Sequence, residues 1–182
     1  VFEHEFVHVL TLQKSSYNIP RWFTEGISTW EEEDPQSEVD RQLKWAWKNQ
    51  RLLPLEDINS GFSQQSYPNQ IGVSYYHASL VCKYINDKYG YKAIQEMLRL
   101  YREGKGNEEA IEGGTGRKIS EINKEVKAYV DEYVRKIPIS VPMEKKDMAD
   151  LEATLKSFGL KGEKELDLAA AYVNHGENAK AR

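Results

Sequence analysis

The sequence is short of cysteine, of long apolar runs and of excess positive charge. Its single cysteine, Cys82, excludes an internal disulfide and a zinc site built from several thiolates, and it leaves the compartment open. No apolar run approaches the roughly 20 residues that cross a membrane. The formal net charge is −4, and the basic residues are scattered among acidic ones, so no nucleic-acid partner is expected.

What remains is an ordinary composition for a globular protein. Charged residues make up 30% of the sequence and hydrophobic residues 40%, which is typical of a chain that folds around an apolar core. A length of 182 residues is enough for one domain with a buried core, together with a small appendage.

Apolar periodicity predicts helices over most of the chain, and no convincing strand alternation is present. The predicted helices cover about 1–14, 20–30, 37–52, 71–89 and 92–102, a short stretch begun at Asn107, and a segment from Ser120 that Pro138 ends. The segment 59–70 has the composition of a loop. The first helix is apolar nearly all round, so we expect it to be central and buried. The fold class is therefore mainly α.

A change in composition marks a boundary near the end of these helices. The stretch "IPISVPMEKKD" is a linker candidate, so we expect a helical domain over 1–137 and a linker with short helices over 138–182. There, "LAAAY" followed by a His-Gly turn resembles the opening half of a tetratricopeptide repeat, a fold that binds protein partners. Helical periodicity already runs at Val1 without an initiator Met, so we expect the chain to be a fragment.

The stretch "HEFVH" carries the clearest chemistry. His4 and His8 lie four residues apart, about 6 Å along one face of a helix, so both imidazoles can reach one ion. A catalytic zinc ion takes three protein ligands and keeps one position open for water. Glu5, beside the first histidine, can take a proton from that water and later deliver it to a leaving amine.

A third ligand is required, and the sequence offers one candidate. The metzincin continuation would need Gly at position 11 and His at position 14, so Thr11 and Lys14 exclude it. Glu25 lies on the second predicted helix, in "WFTEG". Packed antiparallel to the first helix across a short loop, that helix can aim a carboxylate at the metal.

These residues resemble the gluzincins, the clan of thermolysin and the zinc aminopeptidases. The closer resemblance, over roughly 1–136, is to the bacterial peptidase MA-like domains, through "HEFVHVL", "PRWFTEG" and "YHASLVCKYINDKYG". It implies a zinc metallopeptidase acting on a peptide or protein substrate, with Zn²⁺ on His4, His8 and Glu25 and with Glu5 as general base. It also implies the helical C-terminal half of a zincin catalytic domain, without the N-terminal sheet, in a bacterial envelope or secreted protein.

A donor for the oxyanion is expected nearby, because zincins stabilise the charge that develops on the attacked carbonyl. The stretch "SYYHAS" supplies Tyr75, Tyr76 and His77. The resemblance favours Tyr76, which stands three residues before Ser79. Tyr75 points about 100° away on a helix, so only one of the two tyrosines can face the zinc.

A second function is compatible with the same sequence. A zincin-derived scaffold that is weakly active or inactive, attached to helical repeats, would act as a protein-interaction module. Glu5→Gln separates the two hypotheses, because the enzyme needs that carboxylate and the scaffold does not.

Overall fold

The computed structural model describes residues 2–32, 37–138 and 152–153. It divides the chain into two units, Val1–Ile137 and Pro138–Arg182, and nearly all described residues belong to the first. The predicted linker and repeat-like helices lie almost wholly outside the described residues. The domain assignment and the tetratricopeptide-like segment therefore stay predictions.

The described residues are helical, and they contain no β-strand, so the predicted mainly α fold is confirmed. The helices are α1 (Phe2–Lys14), α2 (Arg21–Trp30), α3 (Ser37–Lys48), α4 (Gln70–Tyr89), α5 (Tyr91–Arg102), α6 (Asn107–Thr115) and α7 (Ile119–Lys136). A short 3₁₀ helix, Ile58–Phe62, lies in the segment predicted to be loop. Within the described ranges, none of the helices combines the length and hydropathy needed to cross a membrane.

Helix α2 lies at the centre of the first unit, between α1 and α4, and every residue from Trp22 to Thr29 is buried. Its first turn is held from outside the helix. The backbone N–H of Trp22 donates to Asn59 Oδ1 at 3.1 Å, which satisfies one of the free donors at a helix start. The Trp22 indole N–H donates to Asn107 Oδ1 at 2.8 Å. These two bonds fix both the position and the rotation of α2.

The contact between α2 and α4 depends on Gly26. A Cβ at this position would lie 2.8 Å from the carbonyl oxygen of Ala78 and 2.8 Å from the sulfur of Cys82. Neither atom can move away easily, because one is helix backbone and the other is fully buried. Glycine therefore permits a helix approach that any larger residue would prevent.

Two expectations about the helices are corrected. Helix α1 is not buried: Phe2, Phe6, Val9 and Leu10 are 84, 53, 49 and 43% exposed. It packs on α2 and α5 with one side only, and no described element covers the other apolar side.

The third helix is also shorter than predicted, because it ends at Lys48. Gln50 adopts a positive φ of 54°, a left-handed conformation that a helix cannot continue through. Leu52 therefore lies in the segment that follows α3 and not on the helix.

We predict that Gly26→Ala destabilises the fold and that Gly72→Ala does not. The first substitution forces a methyl group against backbone, and overpacking of this kind costs about 1–3 kcal/mol. Gly72 also lies in a helix, but its nearest neighbour to a new Cβ is Gln42 Oε1 at 3.7 Å. There, alanine should gain up to about 1 kcal/mol of helix propensity. Urea unfolding of both variants measures the difference, and equal stabilities would contradict the close contact.

Candidate metal centre

Three acceptor atoms from two helices meet in the first unit. His8 Nε2 lies 3.0 Å from His4 Nε2 and 3.1 Å from Glu25 Oε2, and the remaining distance, from His4 Nε2 to Glu25 Oε2, is 3.5 Å. The histidines come from one face of α1 and the glutamate from α2. The sequence-predicted ligand set is therefore brought together in space, as His4, His8 and Glu25.

Hydroxyl groups on the far side of His8 determine which of its ring nitrogens carries the proton. Thr11 Oγ1–H donates to the carbonyl oxygen of Val7 at 3.0 Å, so Thr24 has to donate in the 2.8 Å bond between Thr11 Oγ1 and Thr24 Oγ1. Thr24 Oγ1 can then only accept from His8 Nδ1–H, which is 2.8 Å away. Ser28 Oγ lies 3.4 Å from the same nitrogen and can also accept. These contacts favour the tautomer with the proton on Nδ1, which leaves the lone pair of Nε2 toward Glu25.

The outer ring nitrogen of His4, Nδ1, has an acidic neighbour. Its Nδ1 lies 3.2 Å from Glu32 Oε1, close enough for electrostatic attraction although not aligned for a hydrogen bond. A carboxylate beside Nδ1 favours a proton on that nitrogen, because otherwise two lone pairs would face each other. The Nε2 lone pair of His4 is then also free on the cluster side. Such partners on the outer nitrogen are what metal-ligating histidines use to hold their tautomer.

Glu25 is held in place through Oε1, the oxygen that does not face the histidines. Tyr75 O–H donates to Glu25 Oε1 at 3.0 Å, and Arg21 Nε–H donates to the same oxygen at 3.3 Å. Arg21 also donates from Nη2 to the Tyr75 hydroxyl at 3.0 Å. Oε2 is left to face the two histidines.

The donor set fits a zinc ion. Zinc prefers imidazole nitrogen and carboxylate oxygen at about 2.0–2.2 Å, and ligand atoms at tetrahedral angles are then about 3.3–3.5 Å apart. The observed separations of 3.0, 3.1 and 3.5 Å lie close to that range. With the proton of each ring on Nδ1, all three atoms present lone pairs to one point, an arrangement that a cation can satisfy. Three protein ligands are the number found in catalytic sites, which keep a fourth position open.

The cluster is partly accessible from outside. The side chains of His4, His8 and Glu25 are 17, 19 and 12% exposed. Glu5 is exposed on α1 beside His4 and has no hydrogen bond or ion pair within the described part of the chain. Its carboxylate is therefore accessible to solvent beside the cluster.

Tyr75 and Tyr76 face different sides of α4, and Tyr75 is the one that lies beside the cluster. Tyr76 O–H donates to Asp40 Oδ1 at 2.9 Å and also contacts the Tyr133 hydroxyl, so it faces α3 and α7. Tyr75, one residue earlier, faces α2 and reaches Glu25. Burial raises the pKa of Tyr75, so its phenol stays protonated and can donate. His77 faces neither group and is buried on another side of α4.

The sequence reasoning missed the residues that support the ligands, which are Thr11, Thr24, Glu32 and Arg21. Two of them carry a local signal: Thr11 follows His8 by three residues on the same helix face, and Arg21 precedes Glu25 by four, a spacing at which charges pair. Thr24 and Glu32 reach the histidines only through the packing of α2 on α1.

An all-helical unit with two histidines and a glutamate around one point defines a candidate metallohydrolase. The family model described as Peptidase MA superfamily matches residues 1–132, and the chain belongs to that superfamily. The family is one of peptidases, so the coarse assignment to a peptidase-type enzyme follows. No curated protein and no solved structure matches the chain in the corresponding comparisons.

We predict that Thr24→Val weakens binding of a divalent metal by at least about tenfold, the lower end of the effect of losing an outer partner of a ligand. Valine removes the acceptor of His8 Nδ1–H without changing the size of the side chain. Thr29→Val is the matched control, because Thr29 is buried on the same helix and makes no side-chain hydrogen bond to either histidine. Zinc titration against a chromogenic chelator measures both affinities, and equal losses would contradict the role of Thr24.

Proposed function

We propose that this chain carries the catalytic helices of a zinc-dependent metallopeptidase of the gluzincin type. His4, His8 and Glu25 would hold Zn²⁺, and Glu5 would act as general base and acid. The observation that carries the proposal is the convergence of two histidine lone pairs and one carboxylate oxygen at 3.0–3.5 Å. The family match supports a peptidase as the setting for that site.

When bound, zinc supplies Lewis-acid chemistry, since it lowers the pKa of a water molecule and polarises the scissile carbonyl. The residues of the chain do the rest. The Glu5 carboxylate takes the proton of the attacking water and delivers it to the leaving amine. Glu32 and Thr24 favour a proton on Nδ1 of His4 and His8, which leaves Nε2 of each ring to hold the metal.

Tyr75 is the proposed donor to the oxyanion. Its hydroxyl already lies at the ligand cluster, it is protonated at neutral pH, and Arg21 holds it from the solvent side. A phenol in this position can pass from Glu25 Oε1 to the carbonyl oxygen as charge develops there. Preorganised donors of this kind reduce the barrier because they need no reorientation during the reaction.

We expect the full 182-residue chain to bind one zinc ion, and His4→Ala and Glu25→Ala each to lose it. Glu31→Ala is the matched control, since Glu31 is an exposed carboxylate at the end of α2 and has no place in the cluster. Elemental analysis after reconstitution at neutral pH gives the zinc content. Zinc should also raise the midpoint of thermal unfolding, because the unfolded chain has no such site.

The same preparation tests catalysis. Glu5→Gln should keep its zinc and lose hydrolysis of a quenched-fluorescence peptide library. Absence of zinc from the reconstituted wild-type chain would overturn the metal site. Zinc without any activity that depends on Glu5 would instead favour the scaffold function.

We further expect Tyr75→Phe to reduce kcat/KM by about 10²–10³-fold while zinc stays bound, the loss typical of one oxyanion donor. Tyr76→Phe is the control from the neighbouring position, and it should change stability by about 1 kcal/mol and activity little. If Tyr75 only positions Glu25, its loss would appear in the zinc affinity and not in kcat. A larger kinetic loss in Tyr76→Phe would contradict the assignment.

A further inference from the structure

A second concave site lies on a different face of α4 from the metal cluster. It is a cleft of about 850 Å³, within the usual size of ligand sites. Its walls come from the end of α3, the segment that follows α3, and α7. The apolar lining consists of Trp47, Leu52, Leu53, Pro54, Leu55, Val126 and Val130.

His77 lies at the floor of this cleft. Its side chain belongs to a residue only 6% exposed, and it makes no hydrogen bond or ion pair with any described residue. Burial lowers the pKa of His77 to about 4, so the imidazole is neutral at physiological pH. A neutral imidazole offers one donor and one acceptor. The ring nitrogens are not fully enclosed, so they reach the cleft and can pair with a ligand there.

The rim of the cleft is cationic although the protein is acidic. Lys48, Lys124, Lys127 and Arg135 line it against one carboxylate, Asp131. Asp131 is already satisfied, because it accepts from the Trp47 indole N–H at 2.5 Å and from Lys127 Nζ at 3.1 Å. The three other cations are exposed. Arg135 lies one helical turn from Asp131 and attracts it, whereas Lys48 and Lys124 have no ion pair among the residues that the structure describes. The net charge of the rim is therefore positive, and Lys48 and Lys124 are available to an anionic ligand.

The spacing of these cations distinguishes a ligand with a single carboxylate from an extended ligand with several. Lys124 and Arg135 lie on one stripe of α7, about 16 Å apart at the rise of an α-helix. A single carboxylate head group cannot reach both. An extended peptide covers that distance in about five residues, and its alternate side chains point to opposite sides. Acidic side chains can then meet the rim while apolar ones enter the cleft.

We propose that this cleft is a binding site for an extended peptide segment in which acidic and aliphatic side chains alternate. Leu52, Leu53, Val126 and Val130 would receive the aliphatic side chains, and Lys48, Lys124 and Arg135 the carboxylates. His77 and the free amide of Gln50 would pair with peptide groups of the ligand. The site is independent of the proposed zinc chemistry, because it shares no residue with the metal cluster.

The test uses the full chain and a fluorescein-labelled seven-residue peptide of alternating leucine and glutamate, measured by fluorescence anisotropy in the presence of a chelator. The expected result is saturable binding that weakens with salt, together with no binding of the leucine–lysine counterpart. Lys124→Glu combined with Arg135→Glu should weaken binding at least tenfold. Both residues are exposed, so the double variant should fold normally. Lys92→Glu, an exposed charge reversal on α5, is the matched control and should change the affinity less than twofold.

Three results would overturn the proposal. One is no saturable binding at millimolar peptide. Another is an equal loss in Lys92→Glu, which would show attraction to charge in general. The third is binding of dodecanoate, but not of the peptide, with the same dependence on Lys124 and Arg135, which would assign the cleft to a lipid carboxylate. Zinc in place of the chelator should leave the peptide affinity unchanged, so failure of the zinc proposal and failure of this one are distinguishable.

Discussion

Where α2 crosses α4, the backbone of Gly26 lies so close to Ala78 and Cys82 that a single methyl group would not fit. This contact sets the distance between the two helices and therefore the reach of their side chains. Glu25 and Tyr75 can share a hydrogen bond of 3.0 Å only because the helix axes are this near. Since α1 packs on the opposite side of α2, the same contact also determines where the carboxylate meets the two histidines.

The ligand cluster is arranged at a cost to the isolated fold. Two imidazole lone pairs and a carboxylate oxygen within 3.0–3.5 Å repel one another unless a positive charge lies among them. The repulsion is not relieved by turning the rings, because the hydroxyls of Thr24 and Thr11 hold His8 and the carboxylate of Glu32 attracts His4. A cation bound at this point would remove that repulsion, so the proposed metal binding would stabilise the fold.

The sequence predicted those parts of the molecule that depend on local spacing. The i and i+4 spacing of the histidines and the helical class follow from periodicity. Glu25 is predicted because a short loop lets the second helix pack against the first, and because the family resemblance implies it. Tyr75 could not be chosen over Tyr76 in this way, because periodicity tells which residues share a face but not which neighbour that face meets. The useful signal lay on the other helix: Gly26 marks where α4 approaches, and Tyr75 lies three residues before Ala78 on the approaching face.

The exposure of α1 was mispredicted for the same reason. Periodicity shows that a helix face is apolar, but it does not show whether another element packs on that face. The short α3 shows a different limit. Its apolar spacing continues to Leu52, whereas the chain leaves the helix at Gln50 through a positive φ that the local pattern does not reveal.

Helix α4 carries Tyr75 and His77 on different faces, and burial shifts the pKa of each toward its uncharged form. It raises the pKa of Tyr75 and lowers the pKa of His77 to about 4, so each is uncharged at physiological pH. A protonated phenol donates, and a neutral imidazole both donates and accepts. Peptide groups are themselves uncharged donors and acceptors, so a dry site recognises them best with neutral partners. The charges are placed at the exposed edges. Arg21 pairs with Glu25 beside the cluster, and Lys124 lies at the rim of the cleft, where water reduces the cost of a charge without an ion pair among the described residues.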